Sequence, residues 1–441
     1  MLNFSSLQSA CAKAGISEVE IYRSISEGSS VSTFNKAVDQ NVVYQKAELY
    51  IRGVKDGHIA SVYVERDDDD EIDNIVSRLS DSTSAIESTD PYFIYGGSDK
   101  YPTIEKESHD FDSYTQGDKL ALCRKMEDFV KSKSEFVTMT QAGIDVECGT
   151  VTIENSNGLS VSRDGKYAVV YCAGIINKDG DTREGYYYDF VKNLSDIDYD
   201  KLCERAVKRP LSAIGAKSIP SSTYPVVFEN TQFASLVSCF LSMFSGDAVT
   251  KKLSLLEGKC GTKVFGDNIT VTDDPLLKES YRRVTFDDEG VATFPKTVVE
   301  NGVLKTFLHS LKTAKMLGAE PTGNGFKTGS GDISTRPANL CFKGTDVSFD
   351  DMIAPIENGI YITGMMGQHA GVNPVSGSFN LQASGYKIIN GKIADPVTLI
   401  VVSGNIVDVL NSVECISNDF EVSGLVACGS VFVKSLSISG Q

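Results

Sequence analysis

The groups in this 441-residue chain best suited to metal, nucleophilic or acid–base chemistry are four histidines, ten cysteines and the acidic side chains. His58, His109, His309 and His369 lie far apart, with no pair at helical spacing and no H-E-x-x-H, so no preformed helical zinc site is written locally. A Ser-His-Asp arrangement needs only one histidine and stays open, although no G-x-S-x-G elbow occurs. The cysteines form no C-x-x-C pair, which excludes a zinc ribbon; they read as reduced, mostly buried thiols. EGKCGTK (257–263) lacks full P-loop spacing, and GNGFKTGSG (323–331) misses G-x-G-x-x-G by one residue. DDDDEID (67–73) lacks the glycine and distal glutamate of a calcium loop, so it reads as a helix start with its acids at the positive end of the dipole.

One stretch is unlike the rest. GMMGQHAGVNPVSGSFNLQASG (364–385) has five glycines, His369, an Asn373-Pro374 turn signal and many hydroxyls, with almost no charge. It reads as a loop whose small residues let another chain come close, with His369, Asn373 and Ser376 able to exchange hydrogen bonds there.

The elements that must position these groups are mixed. Strand-like alternation runs through VEIYRSISEGSSVSTFN and AVDQNVVYQKAELYIRG, with a Lys55–His58 hairpin after them and a helix over 67–82. Residues 91–115 look irregular, and 118–133 make an amphipathic helix. A long β stretch follows over 151–190, with its turn expected at Arg163-Asp164-Gly165, and then a helix at 196–215. Two prolines and three serines in SIPSSTYPV (218–226) mark a boundary between domains 1–217 and 218–441. Beyond it come a strand, a buried helix at 230–244, and hairpins at Asn301-Gly302 and Asn390-Gly391. No βαβ rhythm appears. The expectation is an α+β protein of two domains, rich in antiparallel sheet with packed helices, the second domain the more β-rich.

Bulk properties narrow the partners. A net charge of -17 argues against nucleic acid and against anionic membrane surfaces. There is no apolar run of about 18 residues and no leader-like start, so a cytoplasmic protein is expected.

A resemblance adds to this reading. GMMGQHAGVNPVSGSFNLQASGYKIINGKIADPV, SGNIVDVL, SNDFE and the final CGSVFVKSLSISGQ resemble the TldD/PmbA metallopeptidase family, in its PmbA (TldE) branch. FDDEGVATFPKTVVENGVLKTFLHSLKTAKMLG (286–318) with TGNGFK resembles the middle of that family, and ENSNGLS (154–160) and NKDGDTREGYYYDF (177–190) fit more loosely. The resemblance implies a bacterial or archaeal system in which a TldD-type and a PmbA-type chain pair to degrade unfolded peptides and process peptide precursors. The name "modulator of DNA gyrase" also attaches to the family. In the TldD branch, zinc is held by the histidines of a helical H-E-x-x-x-H and a downstream cysteine, with the glutamate as general base.

Laid on ASLVSCFLSMFSGD (234–247), those positions fall on Val237, Ser238 and Ser242, and the cysteine position on Ala383; no residue from 210 to 308 is a histidine. The resemblance therefore implies no metal or cofactor in this chain and zinc in a TldD-type partner. It also implies an unfolded-peptide substrate, self-pairing when the chain is alone, and a peptide cleft near His369, Asn373, Ser376 and Asp247. Two other functions compete: a self-sufficient peptidase using His369 or His309 with an acid such as Asp247, and a regulatory binding protein linked to DNA gyrase.

Overall fold

The computed structural model describes residues 1–86 and 93–441. It is an α+β protein built on antiparallel sheet. The first sheet comprises β1 (Glu18–Phe34), β2 (Ala37–Lys55), β3 (His58–Val64), β4 (Val137–Asn155), β5 (Ser160–Lys178) and β6 (Asp181–Val191), in the order β3-β2-β1-β4-β5-β6. The Asp-Gly turn at 56–57 supplies positive φ angles of 52° and 81°, as its hairpin requires.

Among the helices that pack on this sheet are α1 (Phe4–Lys13), α2 (Ile72–Ala85) and α3 (Gln116–Ser132). Thr115 and Asp118 close a capping box that starts α3, whose Cys123, Met126 and Val130 lie against Val31, Ile144 and Val170 of the sheet. A broken segment follows. It runs through α4 (Tyr199–Cys203), a π turn over Glu204–Lys208 and α5 (Arg209–Ser212), where sequence periodicity suggests one helix.

The remaining strands are β7 (Ser222–Phe228), β8 (Val271–Asp273), β9 (Lys296–Glu300), β10 (Val303–Leu304), β11 (Gly325–Lys327), β12 (Ile333–Thr335), β13 (Leu340–Phe342), β14 (Asn358–Met366), β15 (Ser378–Ile389), β16 (Lys392–Asn405), β17 (Val413–Ile416), β18 (Glu421–Ser423), β19 (Val426–Cys428) and β20 (Val431–Ser439). They form a β10-β9-β8-β13-β19-β18 sheet, a β11–β12 hairpin and a β16-β15-β14-β7-β20-β17 sheet, with β16 also pairing β20. Between the two larger sheets lies the main core, in which α6 (Asn230–Ser238) buries Phe233, Leu236 and Val237. α7 (Gly246–Thr250) follows a short 3-10 turn at Leu241–Phe244.

Three local expectations change. Arg163-Asp164-Gly165 is not a turn: Asp164 pairs with Thr150 inside β5 and accepts its hydroxyl at 2.8 Å. The reversals are at 156–159 and at Asp179-Gly180, because a long continuous ladder outweighs a dipeptide preference. The helix expected at 230–244 ends at Ser238, where the chain kinks into the 3-10 turn. The 364–385 stretch is mostly strand: the end of β14, a single helical turn at Gln368–Gly371, a tight turn and the start of β15. Of the irregular stretch expected at 91–115, residues 91–92 lie outside the described residues. No helix among the described residues is long and apolar enough to cross a membrane.

Candidate functional site

A cavity of about 840 Å³ lies where the first sheet meets the later ones. Nine consecutive residues of β6, Thr182–Phe190, line it. Side chains on a strand alternate between faces, so an unbroken run of lining residues means that the cavity follows the strand's edge. β6 is the terminal strand of its sheet, so this edge has no strand partner among the described residues. The last strand of another sheet, β18, contributes Glu421–Ser423 to the same cavity. The remaining wall is neutral: small residues, among them Ser235 and Ser238 from α6, Gly364 from β14 and Ala383 to Gly385 from β15, alternate with larger ones such as Met365, Gln382 and Tyr386.

Charges line this space, and they pair with one another. Glu229, between β7 and α6, is buried. Its Oε1 lies 2.6 Å from Arg209 and 3.5 Å from Arg205. Arg205 also reaches Glu421 at 3.1 Å and lies over the Tyr187 ring at 4.8 Å. Glu421 accepts the Tyr187 hydroxyl at 3.1 Å and lies 3.5 Å from Lys201, which in turn bonds Asp189 at 3.0 Å. Burial works to lower the Arg209 guanidinium, but its hydrogen bond to Glu229 and that residue's charge outweigh burial and raise it. The Tyr187 phenol is raised first by burial and then by Glu421. The network joins side chains from the two halves of the chain across the cavity wall.

The residues singled out from sequence lie in several places. Ser238 and Ala383 line the cavity, and the Ser238 hydroxyl donates to the Ala234 carbonyl at 2.7 Å. Val237 is fully buried in the core and Ser242 is exposed outside the cavity. His369 is exposed and does not line it. Asn373 accepts the backbone N–H groups of Val375 and Ser376 at 3.0 and 3.1 Å, so its side chain shapes the turn before β15. Ser376 shares a 2.7 Å hydrogen bond with Ser378. Asp247 accepts from the backbone N–H and hydroxyl of Thr335 at 2.6 and 3.0 Å.

His309 is buried near Asp247; burial lowers its pKa against the opposing pull of that carboxylate, and neither residue lines the cavity. Among the described residues, no group of three histidine, cysteine or acidic side chains could hold a metal ion. Arg205, Arg209, Glu229 and Glu421 were missed from sequence because their partners lie far along the chain. The only cue was the Tyr186-Tyr187-Tyr188 run.

Comparison with known proteins agrees with this architecture. Residues 109–213 match the PmbA/TldA metallopeptidase central domain and residues 221–440 its C-terminal domain. Metalloprotease PmbA of Escherichia coli O157:H7 is 26% identical over 73% of this chain and 70% of its own. A PmbA homologue from Buchnera aphidicola is 29% identical over 62% of this chain, which spans 58% of that relative. The crystal structure of a Thermotoga maritima protein, named a candidate modulator of a DNA gyrase, superposes with a TM-score of 0.89 at 31% identity, covering 99% of this chain and 100% of that one. TldE from Thermococcus kodakarensis shares the fold, with a TM-score of 0.89 at 23% identity, over 99% of this chain and 100% of its own. With its cavity edged by β6 and two family domains spanning most of its length, the chain belongs to the PmbA/TldA metallopeptidase family.

Proposed function

We propose that this chain is the peptide-holding, non-catalytic component of a TldD/PmbA system, working beside a TldD-type subunit that carries the zinc. The observation that carries the reading is the unpartnered β6 edge running along the cavity. An extended peptide laid there gains main-chain hydrogen bonds from β6, while the small residues in the facing wall leave room for varied side chains. Recognition through the main chain suits unfolded peptides of differing sequence.

The family implies a metal, and the residues present do not fit one. The placed ligand positions are Val237, Ser238, Ser242 and Ala383, an aliphatic pair and two hydroxyls, and no alternative donor cluster occurs among the described residues. Water activation is therefore assigned to the partner, and this chain binds and orients the peptide. His309 with Asp247 offers no self-sufficient site, because the histidine is buried away from the cavity.

Two measurements test this reading. Elemental analysis of the chain purified alone is expected to give zinc well below one per chain. Anisotropy titrations should show a labelled extended peptide binding, and the same peptide with alternate main-chain N-methyl groups binding about tenfold more weakly, the equivalent of roughly one lost hydrogen bond. Equal affinity of the two peptides would sink strand addition, and a full zinc complement would sink the non-catalytic assignment.

A further inference from the structure

Beside the cavity, the first sheet has a face on which register brings unusual neighbours together. Directly opposed residues of antiparallel strands point to the same side. Gly28 of β1 faces Tyr44 of β2 and Glu147 of β4, Ser30 faces Asp145, and Ser32 faces Gly143, which faces Tyr171 of β5. Tyr171 in turn faces Tyr188 of β6. The side away from α3 thus carries Asp145 among tyrosines and glycines.

The two glycines leave room for the rings and, at Gly28, for the Val146 carbonyl as well. A Cβ on Gly28 would sit 2.6 Å from the Tyr44 hydroxyl, and one on Gly143 only 2.2 Å from Cζ of Tyr171. Each ring therefore lies flat over a neighbouring strand instead of standing up from the sheet. Tyr186 continues the row, with its ring 6.0 Å from that of Tyr171, and it is 56% exposed. The register sets Asp145, paired with Ser30, one step from Gly28 beneath the Tyr44 ring and one step from Gly143 beneath the Tyr171 ring. The phenols of Tyr44, Tyr171 and Tyr186 are all raised, first by burial, with the charge of Asp145 among the further causes in each case. Asp145 accepts the Ser30 hydroxyl and has no ion pair among those described. This half-exposed carboxylate thus sits between the Tyr44 and Tyr171 rings, with Tyr186 next to Tyr171, and no cation pairs with it among the described residues.

We propose that Asp145, Tyr44, Tyr171 and Tyr186 form a cage for a lysine or arginine side chain of the peptide held in the cavity. Ring faces attract an ammonium or guanidinium group, and the carboxylate adds a direct charge partner. Continuity places the occupant, because Tyr186 lines the cavity as well as the cage. The net charge of -17 draws cationic chains toward the surface. The inference rests on the peptide-holding reading and narrows its substrate class to peptides with a basic residue beside the strand-bound segment.

The test compares a lysine-containing extended peptide with its Lys→Gln counterpart on the full chain, by anisotropy at low salt. The unaltered protein is expected to bind the lysine peptide about tenfold more tightly, and the margin should shrink as salt is added. Asp145→Asn should bring the two affinities together and leave that of the glutamine peptide unchanged. Tyr186→Leu, which keeps apolar bulk without a ring, should reduce the margin by about half on a logarithmic scale. Equal affinities in the unaltered protein, or a margin that survives Asp145→Asn, overturns the cage and leaves the cavity reading standing. A second probe, acetyl-lysine amide, separates the two ideas. An upfield shift of its ε-methylene resonance that is lost in Asp145→Asn supports the cage even if neither peptide binds, an outcome that would instead remove the cavity reading. No such shift, together with no peptide preference, overturns the cage.

Discussion

Glu229 holds two arginines in place, and the structure says what its loss would do. Its carboxylate is buried, while Arg205 and Arg209 reach it from a different part of the chain. Replacing it by alanine leaves two partly buried cations short of a partner, whereas glutamine keeps the shape and some hydrogen bonding. Glu229→Ala is expected to cost about 3 kcal/mol and Glu229→Gln roughly half of that, read as shifts of the urea midpoint. Gly185 sits in β6 where a Cβ would come within 2.2 Å of the Ala206 carbonyl and 2.4 Å of Pro210. Gly185→Ala must push β6 away from the π turn, at a cost of about 1–3 kcal/mol. It should also weaken peptide binding, because it moves the edge that the peptide pairs with. Unchanged anisotropy titrations in that variant would count against β6 as the binding edge.

At the scale of elements, the β11–β12 hairpin reaches back over the first sheet. Lys327 of β11 lies 4.9 Å from the Tyr22 ring centroid and 4.6 Å from that of Tyr50, near Arg52, Asp288, Glu20 and Glu289. Burial, with repulsion from Arg52, pulls its ammonium down to about 8. That is below the unfolded value, so between the two the unfolded chain binds more protons and this residue's contribution to stability rises with pH. From pH 7 to 9.5 the gain is about 2 kcal/mol relative to Lys327→Met, measured as the difference between their denaturation curves.

Most elements in this region are readable in advance. Asp56-Gly57, Asn301-Gly302 and Asn390-Gly391 all take the positive φ angles that their dipeptides favour. Arg163-Asp164-Gly165 misleads because pairing along β4 on one side and β6 on the other holds β5 extended. The π turn at Glu204–Lys208 has no periodic signature, yet it carries Arg205 to the cavity. His369, Asn373 and Ser376 stood out by composition alone, and composition does not tell a turn that shapes itself from one that grips a ligand.

Across the whole molecule, the first sheet is fastened to the later ones at several places, two of them built on arginine. One is the arginine–glutamate network beside the cavity. The other is Arg163, which lies 2.6 Å from Asp288, donates to the Phe286 carbonyl and stacks on the Phe286 ring, while Tyr22 donates to Asp288 at 3.1 Å. With both in place, heating should unfold the chain in one calorimetric transition. Weakening both with Arg163→Ala and Arg205→Ala should resolve two transitions, and a single transition in the double variant would mean that the remaining contacts, Arg209–Glu229 and Lys327 on Tyr22 and Tyr50 among them, suffice to couple the halves. The tyrosines beside the cavity have one more consequence. The chain contains 18 tyrosines and no tryptophan, and Tyr186 and Tyr188 line the cavity. A peptide bearing one tryptophan would be the sole indole in the complex, positioned to accept excitation energy from those phenols, so occupancy can be followed optically with no dye on either molecule.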